Sequence, residues 1–249
     1  GQLVDSAVAQ LLVAQPGDIR VDRLTAALID ARFHVTVDDD RALLAGERDA
    51  EGTRTLLGKP SLWVGRRREL ATLLATLDEC AEERVSRAVL VLAQAGMGKS
   101  RLRHELVRSL ERRGISPNVL VLYGQGDSLS AGSPFVMIAP ALRRAAGILD
   151  GEPLDRRREK LALLVDSTLP PSDRRRVTEL LGELIGVAFP DDSSELLRAA
   201  RADKMLLGQH MERAWVDWLR ATTARQAVLL VLEDLHWGDL PSINYVDAA

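Results

Sequence analysis

Ala88-Val89-Leu90-Val91-Leu92-Ala93-Gln94-Ala95-Gly96-Met97-Gly98-Lys99-Ser100 is the stretch whose reading decides the fold. Residues 88–92 are a continuous apolar run, which predicts a strand buried on both faces. Gly96 and Gly98 come next. They permit backbone angles that other residues avoid, so successive amide N–H groups can turn inward onto an anion. Helical spacing begins at Lys99 and predicts a helix to about Arg113, with its positive end facing the same anion. Ala93–Ser100 therefore fits the phosphate-loop pattern, with Ala in a first position where Gly is more usual. The strand before it and the helix after it are the context that pattern requires.

Each residue of the loop has a physical task. The amides of Ala95, Gly96, Met97, Gly98, Lys99, Ser100 and Arg101 form the expected nucleotide cradle. Lys99 can reach the β- and γ-phosphates of ATP, and the Ser100 hydroxyl can ligate Mg2+. Far downstream, Val228–Leu232 is another apolar run, and it ends in Glu233-Asp234. Acidic pairs after strands often cap the next turn; a phosphate loop upstream gives this pair a second meaning. Glu233 is assigned to the metal with Ser100, and Asp234 to the attacking water, so the expected catalytic set is Lys99, Glu233 and Asp234. The first acid of such pairs is more often Asp. A Glu followed by an Asp could exchange roles or slow hydrolysis.

Outward from these two motifs the chain reads as alternating helices and strands. Arg67–Cys80 carries Leu70, Leu73, Leu74 and Leu77 on one face, and Val119–Tyr123 predicts a second buried strand. Ser133-Pro134 has the chemistry of a helix start. From Asp155 to about Arg225 only helical patterns occur, broken at Pro170-Pro171 and Pro190. Strands alternating with helices predict an α/β fold, a phosphate-loop parallel sheet with flanking helices. Residues 1–58 read as a separate, small α+β segment with a polar linker at 46–55. In it Asp18–Val21 predicts a strand, Asp22 caps a helix through Ile29, and Phe33–Val37 pairs with Ala42–Ala45.

Three segments together carry a family resemblance: Trp63-Val64-Gly65-Arg66-Arg67-Arg68-Glu69-Leu70, the phosphate loop, and Leu230-Val231-Leu232-Glu233-Asp234-Leu235-His236-Trp237-Gly238-Asp239. Residues 59–249 resemble the AAA-type ATPase module of STAND signalling proteins, which is similar to origin-recognition ATPases. Such modules occur in large ATP-binding LuxR-type regulators and in kinase- or cyclase-linked bacterial regulators. The resemblance implies a cytoplasmic, ATP-binding and ATP-hydrolysing regulatory module with ATP/ADP and Mg2+ as ligands. It also implies neighbouring kinase, cyclase or DNA-binding domains on a longer polypeptide, and allows self-association. It places Val64 and Gly65 near the adenine. Residues 1–58 resemble the end of an upstream domain plus linker. The family's sheet has a further strand between the phosphate-loop strand and the acidic strand. No segment after Asp239 supplies it here, so an incomplete sheet lacking its central strand, and weak turnover, are expected.

Composition excludes several other classes. The chain has 249 residues, net charge −3, 46% hydrophobic residues and one cysteine, Cys80. That supports a packed core and rules out an internal disulfide. The apolar runs are far shorter than the ~20 residues a membrane-crossing helix needs. Basic residues are dispersed, so a nucleic-acid-loading ATPase is the lesser alternative. A nucleotide-binding module without turnover is the other alternative, favoured by the Glu-Asp order and the missing strand. Arg156–Arg158 and Arg174–Arg176 read as solvated helix faces. Trp215 and Trp218 read as core, Cys80 as a small buried apolar residue, and His236 as a non-catalytic residue.

Overall fold

The computed structural model describes Val8 and residues 19–29, 33–38, 41–47, 55–56, 59–60, 65–113, 119–128, 133–192 and 194–249. The chain divides into two compact units, Gly1–Gly65 and Arg66–Ala249.

In the first unit β1 (Arg20–Val21) leads into α1 (Arg23–Ile29), and β2 (Phe33–Asp38) and β3 (Arg41–Glu47) form a hairpin. The sheet order is β1-β3-β2, all antiparallel. Asp22 starts α1 as its pattern requires: its carboxylate accepts from the Thr25 amide at 2.8 Å and the Thr25 hydroxyl at 2.6 Å. The expected linker is shorter than 46–55, because β3 continues through Glu47. A two-stranded ladder, β4 (Thr55–Leu56) with β5 (Lys59–Pro60), follows. Leu3, Val4, Ala7, Val8, Leu11 and Leu12 fall at helical spacing in the sequence, and the helix they predict lies outside the described residues, Val8 excepted.

The second unit is layered. In order come α2 (Arg67–Glu83), α3 (Lys99–Arg112), β6 (Val119–Gln125), α4 (Ile138–Ala145), α5 (Leu154–Asp166), α6 (Pro171–Ile185), α7 (Glu195–Ala202), α8 (Lys204–Thr223), β7 (Ala227–Glu233), a 3-10 turn (Leu235–Trp237) and α9 (Leu240–Ala248). Strands β6 and β7 pair in parallel, from Val119 opposite Ala227 to Gln125 opposite Glu233. Side chains alternate across a strand, and here the alternation sorts two cores. Val119, Val121, Ala227 and Leu229 pack with Leu74 and Leu77 of α2 and Leu106 and Leu110 of α3. Leu120, Leu122, Val228 and Leu230 face the larger core, built from α4, α5, α6 and α8. The chain is thus mixed α/β, a small parallel sheet with helices on both faces.

The helical stretch between β6 and β7 holds most of the buried apolar residues. Trp215 and Trp218 are fully buried, with ring centroids 5.6 Å apart. The Trp215 indole N–H donates to the Tyr245 carbonyl at 3.0 Å, which fastens α8 to α9. Pro170 caps α6 and Pro171 opens it, and Pro190 lies between α6 and α7. In the arginine triplets Arg156, Arg158, Arg174, Arg175 and Arg176 form ion pairs, such as Arg175 with Glu179 and Arg176 with Asp217.

Three expectations are corrected. Residues 88–92 form no strand; they run without regular structure between α2 and α3, with Leu90 66% and Leu92 82% exposed. An apolar run states a preference for burial, but a strand needs a neighbour to pair with, and none of the described strands lies beside this one. The helix expected at Ser133-Pro134 starts at Ile138, after a turn over residues 134–137. A long-range bond decides this: the Phe135 amide donates to the Asp239 carboxylate at 2.8 Å, and Phe135 sits at φ 61°. Cys80 is half-buried rather than buried.

Candidate functional site

The phosphate loop takes the shape its glycines allow. Gly96 and Gly98 have φ of 79° and 82°, in the left-handed region, and a Cβ at either would meet nothing within 4 Å. Gly98 is the N-cap of α3, and its carbonyl accepts from the Leu102 amide at 3.0 Å. The 14-residue α3 therefore opens directly from the loop, with its free amides on the loop side. Lys99 folds back over the loop: its ammonium donates to the carbonyls of Ala93, at 2.9 Å, and Gln94, at 3.3 Å. Ala95, Gly96, Met97 and Ser100 are exposed. Arg101 directs its side chain along the helix to the buried Glu105, at 2.8 Å.

The acidic pair sits at the carboxyl end of β7. Asp234 is in the left-handed region at φ 55°, an unusual conformation for a residue with a side chain, and the chain turns there into the 3-10 turn. Glu233 is joined to the phosphate-loop helix, because Arg103 Nε lies 3.4 Å from Glu233 Oε2. Arg103 is one helical turn from Lys99, a rise of about 6 Å. The two motifs, 135 residues apart from Lys99 to Asp234 along the sequence, thus meet at one end of the sheet.

Two residues that sequence reading did not single out complete this arrangement. The Tyr123 hydroxyl lies 2.9 Å from Glu233 Oε2 and 2.9 Å from Gln125 Oε1. Gln125 Nε2 donates to Asp234 Oδ2 at 3.0 Å. Both residues stand on one face of β6, two positions apart, and the parallel register brings them beside the acidic pair. The Arg103 and Arg144 guanidinium carbons lie 4.6 and 5.1 Å from the Tyr123 ring centroid. Burial, with Glu233 beside it, pushes the Tyr123 phenol up to about 12. The signal that could have found them is positional: ligands of parallel α/β sheets gather at the carboxyl ends of strands, and Tyr123 and Gln125 end β6.

Gly126 lets the two strand ends close up. Its amide donates to the Glu233 carbonyl at 3.0 Å, and a Cβ there would stand 2.5 Å from the Asp234 carbonyl oxygen. Asp239 fixes the other side of the turn. Buried, it accepts from the Phe135 and Ser242 amides, each at 2.8 Å, and from the Ser242 hydroxyl at 2.6 Å. His236 and Trp237 are exposed, their rings 5.1 Å apart. Of the residues expected near a base, Val64 lies outside the described residues, and Gly65, at φ 93°, closes the first unit. A cleft of about 410 Å3 beside Gln125 is lined by Gly126, Asp127, Val136, Pro140 and Arg144 and by no residue of the phosphate loop.

Open glycine positions, helix amides, an ammonium and a hydroxyl make a donor set suited to a polyphosphate. With Ser100 and Glu233 as oxygen ligands, it also suits a hard divalent cation that keeps most of its waters. Among the described residues no group of three or more His, Cys, Asp or Glu could hold a metal by itself, and no helix is long and apolar enough to cross a membrane. A family model described as the AAA ATPase domain matches residues 62–248. No curated protein and no solved structure matches the chain.

Proposed function

Because the chain belongs to the AAA ATPase domain family, whose members bind ATP or ADP, we propose that residues 93–101 and Glu233-Asp234 form one MgATP site. In this reading the amides of residues 95–101 hold the phosphates, Lys99 leaves its two carbonyls for the β- and γ-phosphates, and Ser100 and Glu233 bind Mg2+. Bound Mg2+ would neutralise charge on the phosphates as the terminal bond breaks. Asp234 orients and polarises the attacking water, and Gln125 holds its carboxylate at the edge of the site. Glu233 presents an oxygen once Tyr123 and Arg103 release it. The observation that carries the proposal is the Arg103–Glu233 pair, which sets the acidic strand end one helical turn from the loop.

The module would act as a nucleotide-dependent switch within a longer signalling or transcription-regulatory polypeptide. MgATP would favour one arrangement and its hydrolysis would release it. Kinase, cyclase or DNA-binding neighbours, and self-association, belong to the same reading. A single, half-buried cysteine fits a reducing, cytoplasmic setting. A second reading, nucleotide binding without turnover, draws on the engagement of both carboxylates by Tyr123, Arg103 and Gln125. It would separate from the first by Asp234→Asn having no effect on the hydrolysis rate.

The test is equilibrium binding of MgATP, read through the exposed Trp237 beside the acidic pair, for the wild type and Lys99→Ala. Lys99→Ala is expected to weaken binding at least tenfold, about 1.4 kcal/mol. Equal binding by the two folded proteins would remove the loop from the site.

A further inference from the structure

A hydroxyl has one proton to donate. The Tyr123 hydroxyl has two acceptors at the same 2.9 Å distance, Glu233 Oε2 and Gln125 Oε1, and can serve only one at a time. Gln125 spans the remaining gap, since its amide nitrogen donates to Asp234 Oδ2 at 3.0 Å. Turning that amide over would set its oxygen against the Asp234 carboxylate, so the recorded orientation is the one the charges favour. The result is a continuous chain of groups, Glu233–Tyr123–Gln125–Asp234, that links the two acids through β6 instead of along their own backbone.

We propose that Tyr123 is a positioning residue whose single proton couples cation binding at Glu233 to the hold on Asp234. This inference rests on the MgATP site proposed above. With Glu233 free of a cation, the hydroxyl favours the carboxylate, because a charge-assisted hydrogen bond is roughly twice as strong as a neutral one. A cation at Glu233 competes for the same oxygen. The proton then turns to Gln125 Oε1, which polarises the amide and strengthens its bond to Asp234. The attacking-water carboxylate is thus held most firmly when the cation is in place. Arg103 has a different part: as a cation at 3.4 Å from Glu233 it competes with the metal.

The coupling makes two predictions of opposite sign. Tyr123→Phe removes the competitor for Glu233 and should tighten Mg2+ binding roughly fivefold, the effect of one ordinary hydrogen bond. Gln125→Ala removes the second acceptor, so the hydroxyl that leaves Glu233 has nowhere to go, and Mg2+ binding should weaken by a similar factor. In the Tyr123→Phe background Gln125→Ala should leave Mg2+ affinity unchanged.

The measurement is a Mg2+ titration of each full-length variant, saturated with a non-hydrolysable ATP analogue and followed by Trp237 fluorescence. Gln125 is exposed and Tyr123→Phe keeps the ring, so both variants should fold; Gln125→Met replaces Gln125→Ala if the alanine variant does not. Opposite shifts, with silence of the second substitution in the double variant, support the coupling. Equal shifts from Gln125→Ala in both backgrounds, or weaker Mg2+ binding by Tyr123→Phe, overturn it. Lys99→Ala separates the two levels. If it weakens binding of the analogue while the cycle fails, only the coupling falls; if it has no effect, the site and the coupling fall together.

Discussion

Replacing Gly126 by Ala adds one carbon where the strand end meets the acidic turn. That Cβ would stand 2.5 Å from the Asp234 carbonyl oxygen and 3.0 Å from both the Gly238 nitrogen and the Trp237 carbonyl carbon. All three are backbone atoms, so no side chain can swing away. Restoring ordinary contact at 3.4 Å requires the turn to retreat by about 0.9 Å. Overpacking of this kind costs about 1–3 kcal/mol. The retreat also carries Asp234 from its place, and about 1 Å of misplacement can cost a hundredfold in rate. Gly208→Ala is the matched control. Gly208 lies within α8 with nothing within 4 Å of its would-be Cβ, and the same change there should stabilise by about 0.4–1 kcal/mol. Urea denaturation of both variants measures the first quantity, and single-turnover hydrolysis the second. An unchanged midpoint for Gly126→Ala, or the same loss at Gly208, would refute the argument from close approach.

Two further outcomes follow from the electrostatics. The chain has two tyrosines, and both phenols are raised above their ordinary value of 10.0, Tyr123 to about 12 by burial and Glu233, Tyr245 by burial and Glu212. The unfolded chain therefore ionises first: the stabilisation is complete below pH 10 and is lost as pH rises from 10 through about 12, with native phenolate absorbance appearing only in the upper part of that window. Among the surface ion pairs, Arg176–Asp217 joins α6 to α8 at 2.6 Å with both side chains about three-quarters covered, whereas Arg156–Glu159 is mostly solvated. Arg176→Ala should lower stability by about 0.5–1 kcal/mol and Arg156→Ala by nothing measurable in thermal unfolding.

What could be read in the sequence was whatever depends on near neighbours. The run at 228–232 reads as a buried strand; it is a strand whose residues alternate between the two cores, but each is half-buried rather than buried. Gly98 and Lys99 mark a helix start that depends only on a glycine conformation and the residues after it. The run at 88–92 has the same composition and forms no strand, because pairing depends on a partner that may stand anywhere in the chain. The start of α4 shows the same limit: Ser133-Pro134 is a sound local signal, and the Asp239 carboxylate, more than a hundred residues away, overrides it. Tyr123 and Gln125 were illegible for a geometric reason. Nothing in a strand's own sequence gives the register that sets Gln125 opposite Glu233.

The bare run 88–92 has a thermodynamic consequence for the loop it feeds. From Ala88 to Leu92 no described strand holds the chain laterally, so the upstream side of the loop is tied by side-chain bonds, Arg87 to Glu79 before the run and Lys99 to the Ala93 and Gln94 carbonyls after it, where a strand ladder would hold each residue. Fixing the backbone of one residue costs about 1–2 kcal/mol, and a ligand that needs these residues ordered must meet that cost from its own contacts. Anything that pairs with the run beforehand would remove part of it. By linkage, the ligand would then bind the pairing partner's complex more tightly by the same factor with which it promotes the pairing. Nucleotide affinity is in that sense a gauge of what lies against Val89 and Val91, and the two equilibria cannot be set independently.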